Sequence, residues 1–489
     1  MSAVRSGQSA TFQRTIGPVQ FAIFGFGSIV GTSWVVLLGG WLLHAGPGGA
    51  ILGIILAGAA MALIAAIYAE LGSRFPQTGG EVTYINAVFG KTFGFIVGWL
   101  LTLAYLSFLI FEGIALSWLL GILSPAITGP IHHVIFGEPV RLGGLGFALI
   151  SCLMIAFMNY RGARSFVLFQ TIMTTIFILV VVVTAGFEFY FGSASNLQPV
   201  WRAADGGSWL LGAAWVFGFA PMMFNSFQAV LHAIEERSDD TSKEVVVRLC
   251  IVAVAGAALF YVLVVVAAAA ATPWTPLASS DLPAVDALGN LPGSKALRTA
   301  LLLALIASVL KTWGSVFLMT VRFLFAQARD GMIPASFGSV NPRTGAPGKA
   351  VIAVAVFNFA GIFLGKGLLV PLINAISVCV ALFYVLICAA ALMMRHRDPG
   401  HVGFRVPGGY PVGILAAVLA LAMGVFALFQ PAQTSAADAF KWILLASWGL
   451  LGLGLYFLRN RGPHSTDNRF HTSRLEKHVE SKNPRPHKE

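Results

Sequence analysis

"GSIVGTS", residues 27–33, interrupts an apolar run that otherwise has the length and composition of a membrane-spanning helix. Gly27, Ser28, Gly31, Thr32 and Ser33 all weaken a helix. Glycine does so through backbone entropy, and Ser and Thr through side chains that compete for backbone groups. In lipid, a backbone N–H or C=O freed from its helical partner costs several kcal/mol unless protein, water or ligand replaces that partner. A chain that opens a helix at this depth therefore needs a use for the opened groups.

The surrounding sequence is suited to lipid. Of 489 residues, 57% are hydrophobic and only 10% charged, where a soluble domain carries about a quarter. Mean hydropathy is +0.81. Twelve runs approach the roughly 20 apolar residues that a bilayer demands: 17–42, 48–70, 93–122, 144–160, 165–191, 208–233, 245–271, 297–321, 349–366, 369–394, 411–430 and 438–458. The expected class is an all-α polytopic membrane protein with twelve transmembrane helices. Lys and Arg set its orientation. Arg5, Arg14, Arg74, Lys91, Arg161, Arg164, Arg237, Lys243, Arg322, Arg329, Arg395 and Arg397 fall on one side, together with the basic tail. The other side holds only Arg141, Arg202, Lys295, Arg298, Lys366 and Lys441. The positive-inside rule then places both termini in the cytoplasm and the chain in the plasma or inner membrane. Because the basic residues sit in short loops, the net charge of +11 points to this bias and not to nucleic acid. The N-terminal residues give no sign of a removable signal peptide. Cys152, Cys250, Cys379 and Cys388 lie in apolar runs without ligand spacing, so no metal, disulfide or cofactor is expected.

The sixth run carries a second interruption, "APMMFNSF" at 220–227, flanked by Gly218 and Gln228. Pro221 lacks an N–H and clashes with the preceding turn, so the helix there kinks or opens. Small residues also occur in membrane helices simply to let neighbours pack closely. Interruptions in the first and sixth runs together instead suggest a transporter built from five-helix inverted repeats, with its substrate site between the breaks.

These stretches resemble the amino acid–polyamine–organocation transporter superfamily. "GSIVGTS" is similar to its first-helix signature, and "AELGSRFPQTGGEVTYINAVFGKTFGFIVGW" (69–99) to its second-helix end, first cytoplasmic loop and third-helix start. "NSFQAVLHAIEE" (225–236) resembles its sixth-helix ending, "RFLFAQARDGMIPASFGSVNPRTGAPGKA" (322–350) the loop after its eighth helix, and "GFRVPGGYP" (403–411) the lead-in to its eleventh. The resemblance implies two inverted five-helix repeats plus two helices. The boundaries would be a cytoplasmic segment 1–16, a first repeat 17–191, a second repeat 192–394, two added helices within 395–458 and a disordered cytoplasmic tail 459–489. It implies an amino acid permease working by alternating access, as symporter or exchanger. A substrate α-carboxylate would meet N–H groups at Gly31, Thr32 and Ser33. The α-ammonium would meet carbonyls around Ser28–Ile29 and Met223–Asn225, with Phe227 covering the substrate. Two positions depart from the pattern: Ser226 replaces a Gly, and Gln228 replaces an acid.

Two charges lie inside apolar runs, Lys311 in the eighth and Glu112 in the third. Intramembrane charges are costly and usually functional or paired. In the implied fold, helix eight borders the position of sodium in sodium-coupled relatives, and some proton-coupled members place a helix-five lysine there. Helix five here has none, so Lys311 is expected to supply the charge and to exchange a proton as transport proceeds. A fixed Lys311–Glu112 pair is the scaffold alternative, and Glu112 could also attract a cationic substrate. Tyr105 suits core packing, and His232 and Glu188 suit the interface. Glu235, Glu236 and Arg237 would contact the Arg74 loop at a cytoplasmic gate. Metalloprotease, hydrolase and P-loop motifs are missing from the sequence, which argues against an enzyme. The remaining readings are a polyamine or other organic-cation transporter, and an amino-acid sensor that binds without transport.

Overall fold

The computed structural model describes residues 17–459 apart from 76–79, 162–163, 203–207, 233–237, 239–240, 290, 342–345, 401–402 and 431–434. The expectations for the N-terminal segment, the tail beyond residue 459, and Glu235, Glu236 and Arg237 lie outside the described residues. The helices are α1 (Pro18–Ile29), α2 (Ser33–Arg74), α3 (Gly80–Phe89), α4 (Lys91–Leu123), α5 (Leu142–Arg161), α6 (Arg164–Phe191), α7 (Trp209–Gly218), α8 (Ala220–Met223), α9 (Ala229–His232), α10 (Lys243–Ala271), α11 (Lys295–Arg329), α12 (Gly348–Ile362), α13 (Leu369–Arg397), α14 (Gly409–Phe429) and α15 (Ser435–Arg459). Residues 17–446 form one compact unit, and the C-terminal part of α15 belongs to a second.

Among the described residues, nine helices are long and apolar enough to cross a membrane, and α1, α7 and α12 are shorter apolar helices. The chain is an all-α polytopic membrane protein. Its outer faces carry what a soluble protein would hide: Ile150, Leu179, Val356, Val418 and Ile443 are all exposed. Such apolar surface is stable only against lipid or another apolar partner. The 42-residue α2 is two helices joined at a kink, where Gly46 sits at φ +66 and Pro47 follows. A side chain at Gly46 would strike the Val200 carbonyl oxygen. Residues 200–202 repair the kink's backbone, because Gly48 N–H donates to Val200 O (2.8 Å) and Arg202 N–H to Ala45 O (3.2 Å). The first two apolar runs therefore correspond to α1 with the start of α2, and to the remainder of α2.

The first run breaks at Val30–Thr32, between α1 and α2. The sixth passes from α7 through the single turn α8, with Pro221 in its first turn, and resumes as α9. Between them Ser226 takes φ +75, a left-handed conformation that suits glycine and strains residues with a Cβ. The residue that replaces the expected Gly thus keeps the backbone shape that a Gly would favour.

One feature escaped the sequence reading. Ile131–Ile135 (β1) and Glu138–Arg141 (β2) pair antiparallel within the loop between α4 and α5. Phe136 and Gly137, both at positive φ, make the two-residue turn whose twist matches a hairpin.

A buried ion network ties α2, α13 and the segment entering α14 together. Glu70 is fully buried. It accepts from Arg395 Nε (2.8 Å) and Nη2 (2.5 Å), and from the Val406 N–H (2.9 Å). Arg74 adds a weaker contact at 3.5 Å and reaches Asp398 at 3.4 Å. Removing one member of a buried pair strands the other charge, at about 3–5 kcal/mol. Arg395→Ala should therefore lower thermal stability of the detergent-purified protein strongly, and pairing it with Glu70→Gln should recover much of the loss. Ser226 gives a second expectation, read in the same assay. Glycine there removes about 1 kcal/mol of strain against a similar entropic penalty, so Ser226→Gly should leave stability close to wild type. Ser226→Val should cost roughly 1–3 kcal/mol.

Candidate functional site at the paired helix breaks

The last turn of a helix leaves carbonyls without N–H partners. At the end of α1, two such carbonyls, on Gly27 and on the C-cap residue Val30, accept hydrogen bonds from the Lys311 ammonium at 2.7 and 2.9 Å. Lys311 comes from the middle of α11 and is fully buried. A cation at a helix C-terminus is favoured by the carbonyl dipoles, so one side chain both satisfies the opened backbone and balances its partial charge. The same ammonium lies 5.5 Å from the Phe177 ring centroid on α6, within cation–π range.

Glu112, on α4 and fully buried, faces the same break through hydroxyls. Its Oε2 accepts from Thr32 Oγ1 at 3.2 Å, and its Oε1 lies 2.8 Å from Thr312 Oγ1. Thr312 Oγ1 also lies 2.9 Å from its own helix carbonyl at Ser308, so its single proton serves one acceptor at a time. Lys311 and Glu112 do not pair directly. They hold opposite sides of the break from adjacent helices. Gly31 leaves the space between: a Cβ there would lie 3.2 Å from Thr312 Cγ2 and 3.4 Å from Glu112 Oε1.

Thr32 occupies the N-cap position of α2, yet its side chain makes no capping bond, because the hydroxyl points to Glu112. Val35 N–H bonds back to Thr32 O at 3.0 Å, so it is the N–H groups of Ser33 and Trp34 that keep the partly positive character of a helix N-terminus. Gly31 differs, since its N–H turns back to Ile29 O at 3.1 Å. A carboxylate approaching this break would thus find donors at Ser33 and Trp34.

Ser28 faces another way, accepting from Gln170 Nε2 on α6 at 3.1 Å. Gly25 and Gly27 are close-packing positions: a Cβ on the first would meet Val230 Cγ2 at 2.6 Å, and one on the second would collide with Thr174. Small residues in this stretch therefore serve both readings, packing at Gly25 and Gly27 and opening at Gly31.

The two breaks meet at Tyr261, on α10. Its hydroxyl donates to Met223 O at 2.9 Å, and Ile29 O lies 3.5 Å away. Met223 ends α8 and Ile29 ends α1, so carbonyls from both interruptions lie against one hydroxyl, Ile29 O also accepting from Gly31 N–H. Beyond Met223, Gln228 Nε2 donates to Asn225 Oδ1 at 3.2 Å. Asn225 Nδ2, Ser226 Oγ and Gln228 Oε1 stay buried without partners. Buried polar groups normally find partners, and this group of three beside a helix break has the character of a binding surface. Phe227 is buried in an aromatic cluster, 5.6 Å from the Tyr68 ring and 5.9 Å from that of Tyr384. Tyr105 reaches Glu81 Oε1 at 3.4 Å.

Ile29, Gly31, Thr32, Ser33, Glu112 and Lys311 thus gather at the first break, while Met223, Asn225, Phe227 and Gln228 gather at the second. Ser28 bridges from the first break to α6. The His232 side chain lies outside what is described. The sequence reading missed Tyr261, Gln170 and Thr312, which complete the site from other helices. It also placed Glu188 at the interface, whereas Glu188 is 4% exposed.

The chain matches the amino acid permease family model over residues 15–453. A branched-chain amino acid permease of Bacillus subtilis is 26% identical over 475 residues, covering 94% of this chain and 95% of the relative. A methylthioribose transporter of the same organism is 26% identical over 476 residues, at 94% and 96% coverage. An aspartate-proton symporter, also from Bacillus subtilis, is 26% identical over 424 residues, at 80% and 75% coverage. These similar proteins are transporters, not enzymes. With a family match spanning nearly all of its apolar helices, the chain belongs to the amino acid permease family.

Proposed function

We propose that this chain is a secondary active transporter that moves amino acids across the cytoplasmic membrane by alternating access. In this reading twelve segments span the bilayer and both termini are cytoplasmic. The first segment is α1 with the start of α2, and the sixth is α7 to α9. Residues 17–191 and 192–394 are inverted repeats, followed by two further helices. The observation that carries the reading is the convergence of carbonyls from both breaks on Tyr261. A substrate ammonium entering there would take over acceptors now shared by one hydroxyl. Its carboxylate would lie toward Ser33 at the uncapped start of α2.

Proton coupling follows from charge at the first break. An ionised Glu112 repels an incoming carboxylate in a low-dielectric site. A proton on Glu112 removes that repulsion and turns the group into a donor. Lys311 already covers the Gly27 and Val30 carbonyls, which supports charge supplied by the protein in place of sodium. The aspartate-proton symporter among the relatives supports the same coupling. Glu112 also favours a second reading, an organic cation as substrate, and the methylthioribose transporter widens the panel that needs testing.

Counter-flow in proteoliposomes checks these readings, using labelled amino acids, polyamines and methylthioribose at two pH values with and without sodium. Exchange of at least one amino acid, independent of sodium, is expected; no exchange of any compound would overturn the transport reading. Lys311→Ala should abolish the pH dependence of uptake. Thermal stability is measured in parallel, because the two carbonyls it strands cost about 1–3 kcal/mol each. A folded variant that keeps wild-type pH dependence would remove Lys311 from the coupling.

A further inference from the structure

Glu188 sits near the end of α6, away from both breaks. It is 4% exposed, its Oε1 has no hydrogen-bond partner, and no cation pairs with it among the described residues. It borders a cavity of about 10 Å³ shared with Trp34 on α2, Thr184 on α6, Val264 on α10, Ala284 in the one-turn helix Pro283–Asp286, and Leu301 on α11. None of the residues facing it from these elements is ionisable. The Trp34 indole N–H, also buried, has no acceptor. Thr184 donates its proton to Val180 O at 2.8 Å, so its oxygen offers only lone pairs. The cavity is therefore lined by one residue with an unpartnered acceptor and another with an unpartnered donor.

Size and chemistry restrict the occupant. This volume is at the threshold for a single water, which could donate to Glu188 and accept from Trp34. A hard metal cation wants about six oxygens, and only Glu188 and Thr184 bring side-chain oxygens to the lining. An ammonium-bearing substrate is too large. What remains is a proton with its water. An ionised carboxylate in such surroundings costs several kcal/mol, so closing α2, α6, α10 and α11 over Glu188 is linked to its neutralisation.

We propose that Glu188 is a protonation site on the outer side of the substrate site, and that proton uptake there gates closure of the outer face. The proton comes from an external hydronium onto a Glu188 carboxylate oxygen, leaving a neutral carboxyl and a water, and returns to an external water as hydronium on reopening. No net proton crosses the membrane by this step, so it is separate from any coupling through Lys311 or Glu112. Trp34 connects the two regions, being the second residue of the helix whose N-terminus borders the substrate site. The inference rests on the transport reading and its topology.

The test lowers external pH stepwise at constant internal pH and measures proteoliposome uptake by wild type, Glu188→Gln and Glu188→Asp. One proton per closure allows the closure equilibrium to move by up to about tenfold per pH unit. Wild type and Glu188→Asp should show an external-pH dependence that Glu188→Gln loses, its KM for external substrate being raised at every pH because its outer face stays biased to closure. A wild-type external-pH profile in Glu188→Gln overturns the proposal. A second readout does not need transport: Ala284→Cys is labelled with a membrane-impermeant maleimide, with and without Glu188→Gln. Comparing the two backgrounds at each pH cancels the thiol's own pH response. External acid should protect the thiol when Glu188 is present, and the double variant should be protected at every pH. Equal labelling in both backgrounds overturns the proposal, whereas absent wild-type uptake with the expected labelling would fault only the transport reading.

Discussion

Two hydrogen bonds from one buried ammonium hold the first break open. Without Lys311, the carbonyls of Gly27 and Val30 would face a low-dielectric interior with no donor. The solution recurs at the end of α14, where Lys441 donates to Leu428 O and Gln430 O at 2.9 and 3.0 Å. The loop at 200–202 acts on the Gly46 kink in the same way through backbone groups. Where α1, α2 and α14 depart from regular geometry, a donor arrives from elsewhere in the chain. This is the membrane's demand for internal satisfaction of the backbone, met one group at a time.

That demand explains which parts of the fold were legible in the sequence. Apolar runs are continuous and local, so the segments and both interruptions could be read from composition and from Gly and Pro positions. Lys311 and Glu112 stood out because a charge in an apolar run is rare. The partners that complete the site left no local trace. Tyr261 sits in "ALFYVLVVV", where one hydroxyl among aliphatic residues resembles ordinary core, and its acceptors lie in other helices. The hairpin at 131–141 depended on a Phe-Gly turn inside a stretch read as loop. Glu188 looked interfacial because it lies one turn from a helix end. Its burial comes from neighbouring elements, including a one-turn helix that no hydrophobic period reveals.

The small residues of the first segment divide by environment. Gly25 and Gly27 are pressed against Val230 and Thr174, whereas Gly31 preserves a gap beside Thr312 and Glu112. Sequence alone could not separate these roles, since both call for the same missing Cβ. Ser226 makes the complementary point. Its backbone keeps a left-handed turn despite a side chain that disfavours it, so the shape of the second break is imposed by the packing around it.

The Glu70–Arg395 pair has a consequence for how the protein is made. Its two members are 325 positions apart in the chain. During synthesis, Glu70 is made long before Arg395, with only the weaker 3.5 Å contact of Arg74 on its own helix to balance it. Until α13 emerges, that carboxylate lacks the two guanidinium hydrogen bonds that offset its burial, so burying it then is costly. Docking of α13 and of the segment entering α14 supplies those bonds together with the Val406 N–H. A chain interrupted before residue 395 therefore lacks the bidentate partner of a buried acid at the end of α2, a feature by which incomplete molecules differ from finished ones.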